Sequence, residues 1–409
     1  MANKVIKQSI SLKKNVLYMF MANFIYALSN WFQLSLVSKF MNINDLGEYT
    51  LSIAIVSPLF LFFCMQLRSL ILTDHKDEFS YATYFSFRLF TSIIFLLIVC
   101  FLGILMRFNL SILILYALIR CIEGVADISN GKCQQLEQMK TVFISIASKS
   151  ILLSIGFFVG LYFFKSIQLG FILGIASMLV FLLFYDIKRN MFEKFILRSF
   201  EYRSLLIKAF PLAIVIVVIS LNTNISKFYI EYFIDTSTQG IYSSLSYCII
   251  LGSFIANAIG QTVSPRLSRY YQERDKKNFD QIQNRFTLFT IIIGVLAIII
   301  SIFGGEFILN FLFNQTIAAY KNQFVLIMVS GLFIYIATSL GYTLTSMREF
   351  KIQPYINGTI LCLNLICSYF LVKNYGINGA IYTTIFCYVI QVIITYSIIK
   401  KKSKLQFYK

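Results

Sequence analysis

Charge is what this chain has least of. Only 13% of its 409 residues are Asp, Glu, Lys or Arg, where a soluble domain carries about 25%. Histidine occurs once, as His75, so acid–base chemistry built on imidazole has almost no room. The eight cysteines (Cys64, Cys100, Cys121, Cys133, Cys248, Cys362, Cys367 and Cys387) form no Cys-x-x-Cys pair and have no histidine cluster beside them. That pattern excludes a thiolate metal site and argues against a disulfide framework, leaving small apolar side chains in reduced form. A glycine-rich phosphate loop is missing too. GVADISNG, residues 124–131, has two glycines at the wrong spacing inside an apolar stretch. No enzyme, no cofactor and no metal are therefore expected.

What is abundant is hydrocarbon. Hydrophobic residues make up 58% of the chain, mean hydropathy is +0.75, and apolar runs of about 20 residues recur along its length. Twelve spans are expected, near 14–38, 48–72, 82–106, 110–137, 141–164, 168–187, 206–232, 240–263, 281–303, 322–346, 354–373 and 378–399. The fold class is all-α integral membrane. No cleavage pattern follows the basic start, so the first apolar segment is expected to be retained. The longest polar pieces, 188–205 and 264–280, are too short for a folded soluble domain. They are also too small to build a nucleic-acid site, despite a net charge of +18.

The distribution of that charge gives an orientation. If the N-terminus is cytoplasmic, 27 of the 36 Lys and Arg fall on the cytoplasmic side and 6 on the opposite side. The positive-inside rule then places both termini in the cytoplasm and accounts for most of the net charge without any ligand. Three basic residues remain, Arg88, Arg120 and Lys149, and all lie inside expected spans.

One short turn appears twice. FMNINDLGEYT (40–50) and FIDTSTQGIYS (233–243) share Phe40 with Phe233, Gly47 with Gly240 and Tyr49 with Tyr242, each pair 193 residues apart. A weaker echo links FKSIQLGFILG (164–174) with VKNYGINGAIY (372–382). Six spans separate the copies, an even number, so the halves run parallel and both turns fall on the outer side. Two six-helix bundles related by a pseudo-two-fold axis along the membrane normal are expected. The domains would be an N-terminal bundle (1–187), a cytoplasmic connector (188–205), a C-terminal bundle (206–400) and a basic tail (401–409). Gly47 and Gly240 read as helix-entry positions allowing tight turns, and Tyr49 and Tyr242 as interfacial anchors.

A charged side chain near the bilayer centre costs about 2.5–3.5 kcal/mol on insertion scales, so it tends to face water or a partner. In span 4, Arg120, Glu123, Asp127, Asn130 and Gln134 step by three or four and share one helix face. Two readings stand open: the charges pair with each other and hold helices together, or they line a cavity. In the second, Arg120 is offered to an anion and Glu123 and Asp127 serve ion or proton coupling. Arg88 lies about 9 Å into span 3 and Lys149 about 12 Å into span 5, counting about 1.5 Å per residue. Either could snorkel back to the cytoplasmic surface, and Arg68, near the end of span 2, is similarly ambiguous. Several cations converging would suit a diphosphate. In span 7, Ser220, Asn224, Lys227 and Glu231 repeat on one face, with Lys227 and Glu231 spaced for an i,i+4 pair. Pro58 and Pro211 are expected to interrupt spans 2 and 7.

The motifs together resemble the O-antigen flippase (Wzx-like) branch of the polysaccharide transporters, in the MOP (multidrug/oligosaccharidyl-lipid/polysaccharide) exporter superfamily. The resemblance is carried by NDLGEYT (44–50), QLRSLILTD (66–74), FSYATYFSFR (79–88), TQGIYS (238–243), SPRLSRYYQERDKKNF (264–279), LNFLFNQTIAAYKNQ (309–323), LGYTLTSMREFKIQP (340–354) and YGINGAIYTT (375–384). It implies two bundles around a central cavity working by alternating access in a bacterial cytoplasmic (inner) membrane. The implied cargo is an undecaprenyl-diphosphate-linked oligosaccharide repeat unit, moved from the inner to the outer leaflet, with a polysaccharide polymerase and chain-length proteins as neighbours. Arg68, Arg88, Arg120, Lys149 and Lys227 look like its cationic contacts. Glu123, Asp127, Asn224 and Glu231 look like polar cavity and coupling positions, with an H⁺ or Na⁺ gradient as the implied drive. One departure bears on coupling: relatives often carry an acid before the span 7 base, and here Ser226 precedes Lys227. The alternatives are a MATE-like multidrug exporter, for which the buried charge is too basic, and a membrane polysaccharide polymerase or ligase, for which the outer loops are too short.

Overall fold

In hydrocarbon every backbone N–H and C=O must be bonded within its own segment, so long apolar runs become helices. The computed structural model, which describes residues 12–74, 78–106, 108–186, 199–349 and 351–407, is helical almost throughout. His75, most of the connector (187–198) and the last two residues of the tail lie outside the described residues. Spans 1 and 2 correspond to α1 (Leu12–Phe40) and to α2 (Ile43–Cys64) followed by a short α3 (Leu67–Thr73). Spans 3 to 6 are α4 (Tyr81–Leu105), α5 (Leu110–Gln135), α6 (Met139–Phe164) and α7 (Ile167–Phe181), the last ending in a π-helical turn, Leu182–Asp186. Then come α8 (Ser199–Phe233), α9 (Thr236–Tyr247), α10 (Ile249–Gln272), α11 (Lys276–Leu312), α12 (Gln315–Ala318), α13 (Lys321–Ser346) and α14 (Gln353–Phe407). Polar side chains start many of these helices: Ser80, Asn109, Ser166, Asp235, Asp275 and Asn314 each accept a hydrogen bond from a first-turn amide.

Among the described residues, nine helical segments are long and apolar enough to cross a membrane. Of the expected spans, α5 is missing from that set, in keeping with Arg120, Glu123 and Asp127 along it, and so is α1. Residues 353–407 qualify as one segment although Gly376 (φ 58°, ψ −136°) breaks its helix between the expected spans 11 and 12. Only glycine enters that region of backbone space without strain.

Two expectations about breaks are corrected. Pro58 and Pro211 lie within continuous α2 and α8. Span 2 breaks further on, at Met65 and Gln66, both left-handed with φ of 48° and 50°. That break frees the carbonyls at the end of α2 within the last third of an apolar span.

The chain divides into two compact units, Met1–Gln33 with Leu59–Ala213, and Leu34–Pro58 with Ile214–Lys409. The division falls inside α1, α2 and α8. An apolar cluster of the first unit gathers Met65, Leu67, Ile71, Phe85, Phe87 and Ile128 around the α2–α3 break. One of the second gathers Leu267, Phe279, Leu340, Leu344 and Ile399.

The repeated turn is found inside the second unit, where its two copies pack on each other. A Cβ on Gly47 would lie 2.1 Å from the Thr236 carbonyl oxygen, and one on Gly240 would lie 2.8 Å from the Gly47 nitrogen. The Ser237 hydroxyl donates to Asn44 Oδ1, and Thr50 Oγ1 donates to Gln239 Oε1 at 2.9 Å. Neither glycine has positive φ, so they serve close backbone approach rather than tight turns. The tyrosines are buried too: Tyr49 is 2% and Tyr242 5% exposed, which rules out interfacial anchoring. Tyr242 Oη instead lies 3.1 Å from Thr384 Oγ1.

Candidate functional site

The polar stripe of α5 faces a cavity of about 350 Å³ in the first unit. Its wall includes Tyr26 of α1, Cys64 and Arg68 at the α2–α3 break, Arg88 of α4, Glu123, Asp127 and Asn130 of α5, and Lys149 of α6. Five of the nine residues singled out from the sequence therefore converge here: Arg68, Arg88, Lys149, Glu123 and Asp127.

Pairing organises them. Arg68 Nη1 donates to Asp127 Oδ1 at 2.8 Å, and its Nε and Nη2 donate to Gln134 Oε1 at 3.1 and 2.8 Å. Asp127 and Gln134 are two turns of one stripe, and the guanidinium fork spans both. Arg120 Nη1 lies 2.6 Å from Glu123 Oε2 and also donates to the Tyr26 hydroxyl. Its Nε donates to Tyr116 Oη at 2.9 Å, and its guanidinium carbon sits 4.7 Å from the centre of that ring. Arg120 itself does not line the cavity; it stands behind Glu123 and Tyr26. The charges of the stripe thus pair as the first reading has it, and Glu123 and Asp127 also form part of the cavity wall.

Lys149 Nζ donates to Asp186 Oδ2 at 3.0 Å, with both side chains almost fully buried (6% and 2% exposed). Arg88 differs. It is 2% exposed, and its Nη1 and Nη2 donate to the Phe63 and Cys64 carbonyls at 3.1 and 2.7 Å. These are the orphan acceptors of the broken helix, at the negative end of its dipole. Arg88 Nε is buried with no partner, and among the described residues no carboxylate pairs with Arg88. Neither Arg88 nor Lys149 snorkels. Among the described residues, four cations thus meet three carboxylates around this cavity, two of the cations, Arg88 and Lys149, being buried, and the surplus charge belongs to Arg88.

The span 7 residues belong elsewhere. Lys227 lines a cavity of about 280 Å³ in the second unit, among hydroxyls of Thr223, Ser226, Ser243, Tyr242 and Thr384. Its Nζ donates to Asn224 Oδ1 at 3.1 Å. The i,i+4 pair expected with Glu231 does not form. Glu231 Oε1 accepts from the Thr236 hydroxyl at 2.8 Å, and Oε2 is buried without a partner. Ser226, the departure noted above, shares a hydrogen bond with Ser368 at 3.1 Å, and Ser368 donates to Asn364 Oδ1 at 2.9 Å. Asn364 in turn donates to the Asn222 carbonyl at 2.8 Å.

Sequence reasoning missed Asp186, Tyr26 and Tyr116. Asp186 ends an apolar run and reads as an interfacial residue; only the fold turns it inward onto Lys149. The tyrosines sit at no distinctive spacing from Arg120 until α1 and α5 come together. No group of three or more His, Cys, Asp or Glu suited to a metal occurs among the described residues.

Comparison with known proteins gives the fold its context. The chain is 17% identical to a solved structure of the lipid II flippase MurJ in an inward closed conformation, covering 95% of this chain and 89% of that one, with a TM-score of 0.77. An inward-facing multidrug resistance MATE family transporter of the MOP superfamily superposes with a TM-score of 0.75 at 9% identity, covering 95% and 98%. At such identities the likeness is one of fold, that of an all-α, multi-pass membrane protein. A closer sequence relative is the capsular polysaccharide biosynthesis protein CapF of Staphylococcus aureus, 29% identical over 382 residues, covering 90% of this chain and 94% of that protein. The likeness agrees with the expected all-α transporter-like architecture, and polysaccharide biosynthesis is the role of the Staphylococcus protein. The family model described as lipid II flippase MurJ matches residues 131–409, more than half of the chain, and the protein belongs to that family of flippases, which are transporters and not enzymes.

Proposed function

We propose that this protein carries a polyprenyl-diphosphate-linked oligosaccharide, a repeat unit of a surface polysaccharide, from the inner to the outer leaflet of a bacterial cytoplasmic membrane by alternating access. The observation that carries the reading is the charge surplus of the first-unit cavity, where Arg88 has a buried, unpartnered Nε and, among the described residues, no carboxylate partner. A buried cation without a counter-ion is costly unless an anion supplies one. A diphosphate brings that charge and enough oxygens to engage Arg68 and Lys149 as well. Family membership and the role of the Staphylococcus relative in capsular polysaccharide biosynthesis support the cargo class. O-antigen is one such polysaccharide and capsule another.

In this reading Arg68, Arg88 and Lys149 contact the diphosphate, and Arg120 fixes Glu123 and Tyr26 behind it. Asp127 is the carboxylate freed for a coupling ion when Arg68 turns to the substrate, and Glu123, held by Arg120, is a polar part of the cavity wall. Lys227, with Asn224 beside it, contacts the cargo from the second-unit cavity, and Glu231 holds Thr236. Twelve spans, two pseudo-symmetric bundles and cytoplasmic termini complete the proposal. It is supported by the self-packing of the repeated turn and by the distribution of Lys and Arg. A multidrug exporter of the same fold would need a cavity attractive to cations, and this one carries surplus positive charge. The test is deletion of the gene in its own host, followed by assignment of lipid-linked repeat units to a leaflet. Build-up in the inner leaflet is expected; unpolymerised units in the outer leaflet would refute the flippase reading.

A further inference from the structure

Lys149 lines the cavity, yet its ammonium is bonded to a carboxylate that does not line it. Asp186 sits in the π-helical turn that closes α7, 1% exposed, with Oδ2 on Lys149 and Oδ1 buried without a partner. A desolvated lysine keeps its proton only where a nearby negative charge answers it. Three carboxylates are near enough to matter: Asp186 from the end of α7, and Glu123 and Asp127 from α5. The two on α5 are taken, Glu123 by Arg120 and Asp127 by Arg68. Across the same cavity stand the cations Arg68 and Arg88, which disfavour a third positive charge, and the neutral phenol of Tyr26.

We infer that Asp186 is the positioning residue of the anion site: it keeps Lys149 charged at the cavity wall, ready to be shared with a diphosphate. This rests on the anion reading of the cavity given above. An incoming diphosphate takes over part of the ammonium's hydrogen bonding, and Asp186 Oδ1 and Oδ2 remain as a fixed counter-charge behind it. The π turn is the local device, since a widened last turn carries Asp186 onto α6.

The test uses the full chain in phosphatidylcholine nanodiscs and equilibrium binding of geranylgeranyl diphosphate, with geranylgeraniol as the uncharged control. Asp186→Asn is expected to weaken diphosphate binding about tenfold or more at pH 8.5, the loss of one charge-assisted hydrogen bond. Relative to the unsubstituted protein at each pH, the deficit shrinks toward pH 6, because lower pH returns the proton to Lys149. Lys149→Met shows the same loss at every pH. Lys149→Arg placed in the Asp186→Asn background restores binding to within about threefold across the range, because a guanidinium does not lose its proton. A purely structural Asp186 would give neither the pH-dependent deficit nor the rescue. The inference is overturned if Asp186→Asn tracks the unsubstituted protein at all pH values, or if its deficit is the same at pH 6 and pH 8.5. Should the double variant fail to fold, the pH profile of Asp186→Asn alone decides. Failure of the underlying reading looks different: Lys149→Met then changes nothing either. A protein that binds the diphosphate as described but moves no lipid-linked oligosaccharide between leaflets overturns the flippase reading and leaves the role of Asp186 standing.

Discussion

The two units solve the same problem, polar groups inside a membrane protein, by different chemistry. The first packs four cations and three carboxylates around one cavity, so its interior is held by ion pairs and by Arg88 on the open end of α2. The second lines its cavity with hydroxyls and a single ammonium, Lys227, and holds its segments by close backbone approach at Gly47 and Gly240. Buried charge is expensive in hydrocarbon, whereas Ser and Thr can return their hydroxyl to a carbonyl of their own helix. Thr343, Ser244 and Thr383 do so. The costly groups are therefore concentrated around the first unit's cavity, and the second unit is built with cheaper polarity.

The largest expected effect breaks the charged side of that contrast. Arg88→Met strands the Phe63 and Cys64 carbonyls and removes the surplus charge together. Surface polysaccharide should disappear, and folding stability should fall by about 1–3 kcal/mol for each buried carbonyl left without its donor. Arg88→Lys, which retains charge without the fork, should recover abundance before it recovers export. Immunoblots beside polysaccharide measurement separate the two.

Gly47→Ala tests the packed side. A methyl group 2.1 Å from the Thr236 oxygen must displace backbone, and a loss of about 1–3 kcal/mol is expected from overpacking. The thermal midpoint of the purified protein reads it, and Gly240→Ala, with its nearest atom at 2.8 Å, should cost less. A milder result at Gly47 than at Gly240 would mean the seam is looser than drawn.

Lys227→Met should lower transport about tenfold while abundance stays normal, because the variant removes one charge-assisted contact and no ion pair. An unchanged rate would confine substrate recognition to the first unit. Next is the Arg68–Asp127 pair, whose side chains are 22% and 34% exposed. Partial screening limits its coupling to about 0.5–1 kcal/mol in a double-mutant cycle on stability.

The smallest effect lies outside both cavities. Asp275 starts α11, accepting from the Asn278 backbone amide at 3.1 Å and from its side-chain Nδ2 at 2.6 Å. Those bonds hold the half-buried carboxyl below the ordinary carboxylate range. A carboxyl lowered on folding contributes stability at all higher pH and loses it as pH falls through its folded value. Asp275→Ala should therefore lower the thermal midpoint slightly at pH 7 and not at all in strong acid.

Much of this was legible along the chain. Apolar length placed the helices, and a break near 376 was readable from the turn between two runs. The step of three or four along α5 placed Arg120, Glu123, Asp127 and Gln134 on one face, because helix periodicity is local and needs no partner. Gly47 and Gly240 stood out by register, but their purpose did not, since close approach depends on what lies opposite. The break at Met65 and Gln66 had no signal, while Pro58 and Pro211 offered a misleading one: α2 and α8 run on through them.

By itself the sequence determined a membrane-spanning helical chain, its charge asymmetry, and a cluster of basic residues in its first half. Only the tertiary structure decided which acid answers which base. Asp186 reached Lys149 across 37 residues, Tyr26 reached Arg120 across 94, and Lys227 was left with Asn224 in place of Glu231. The reason is physical: periodicity fixes the face on which a side chain emerges. The free energy of a buried charge is set by whatever the fold brings within about 4 Å of it.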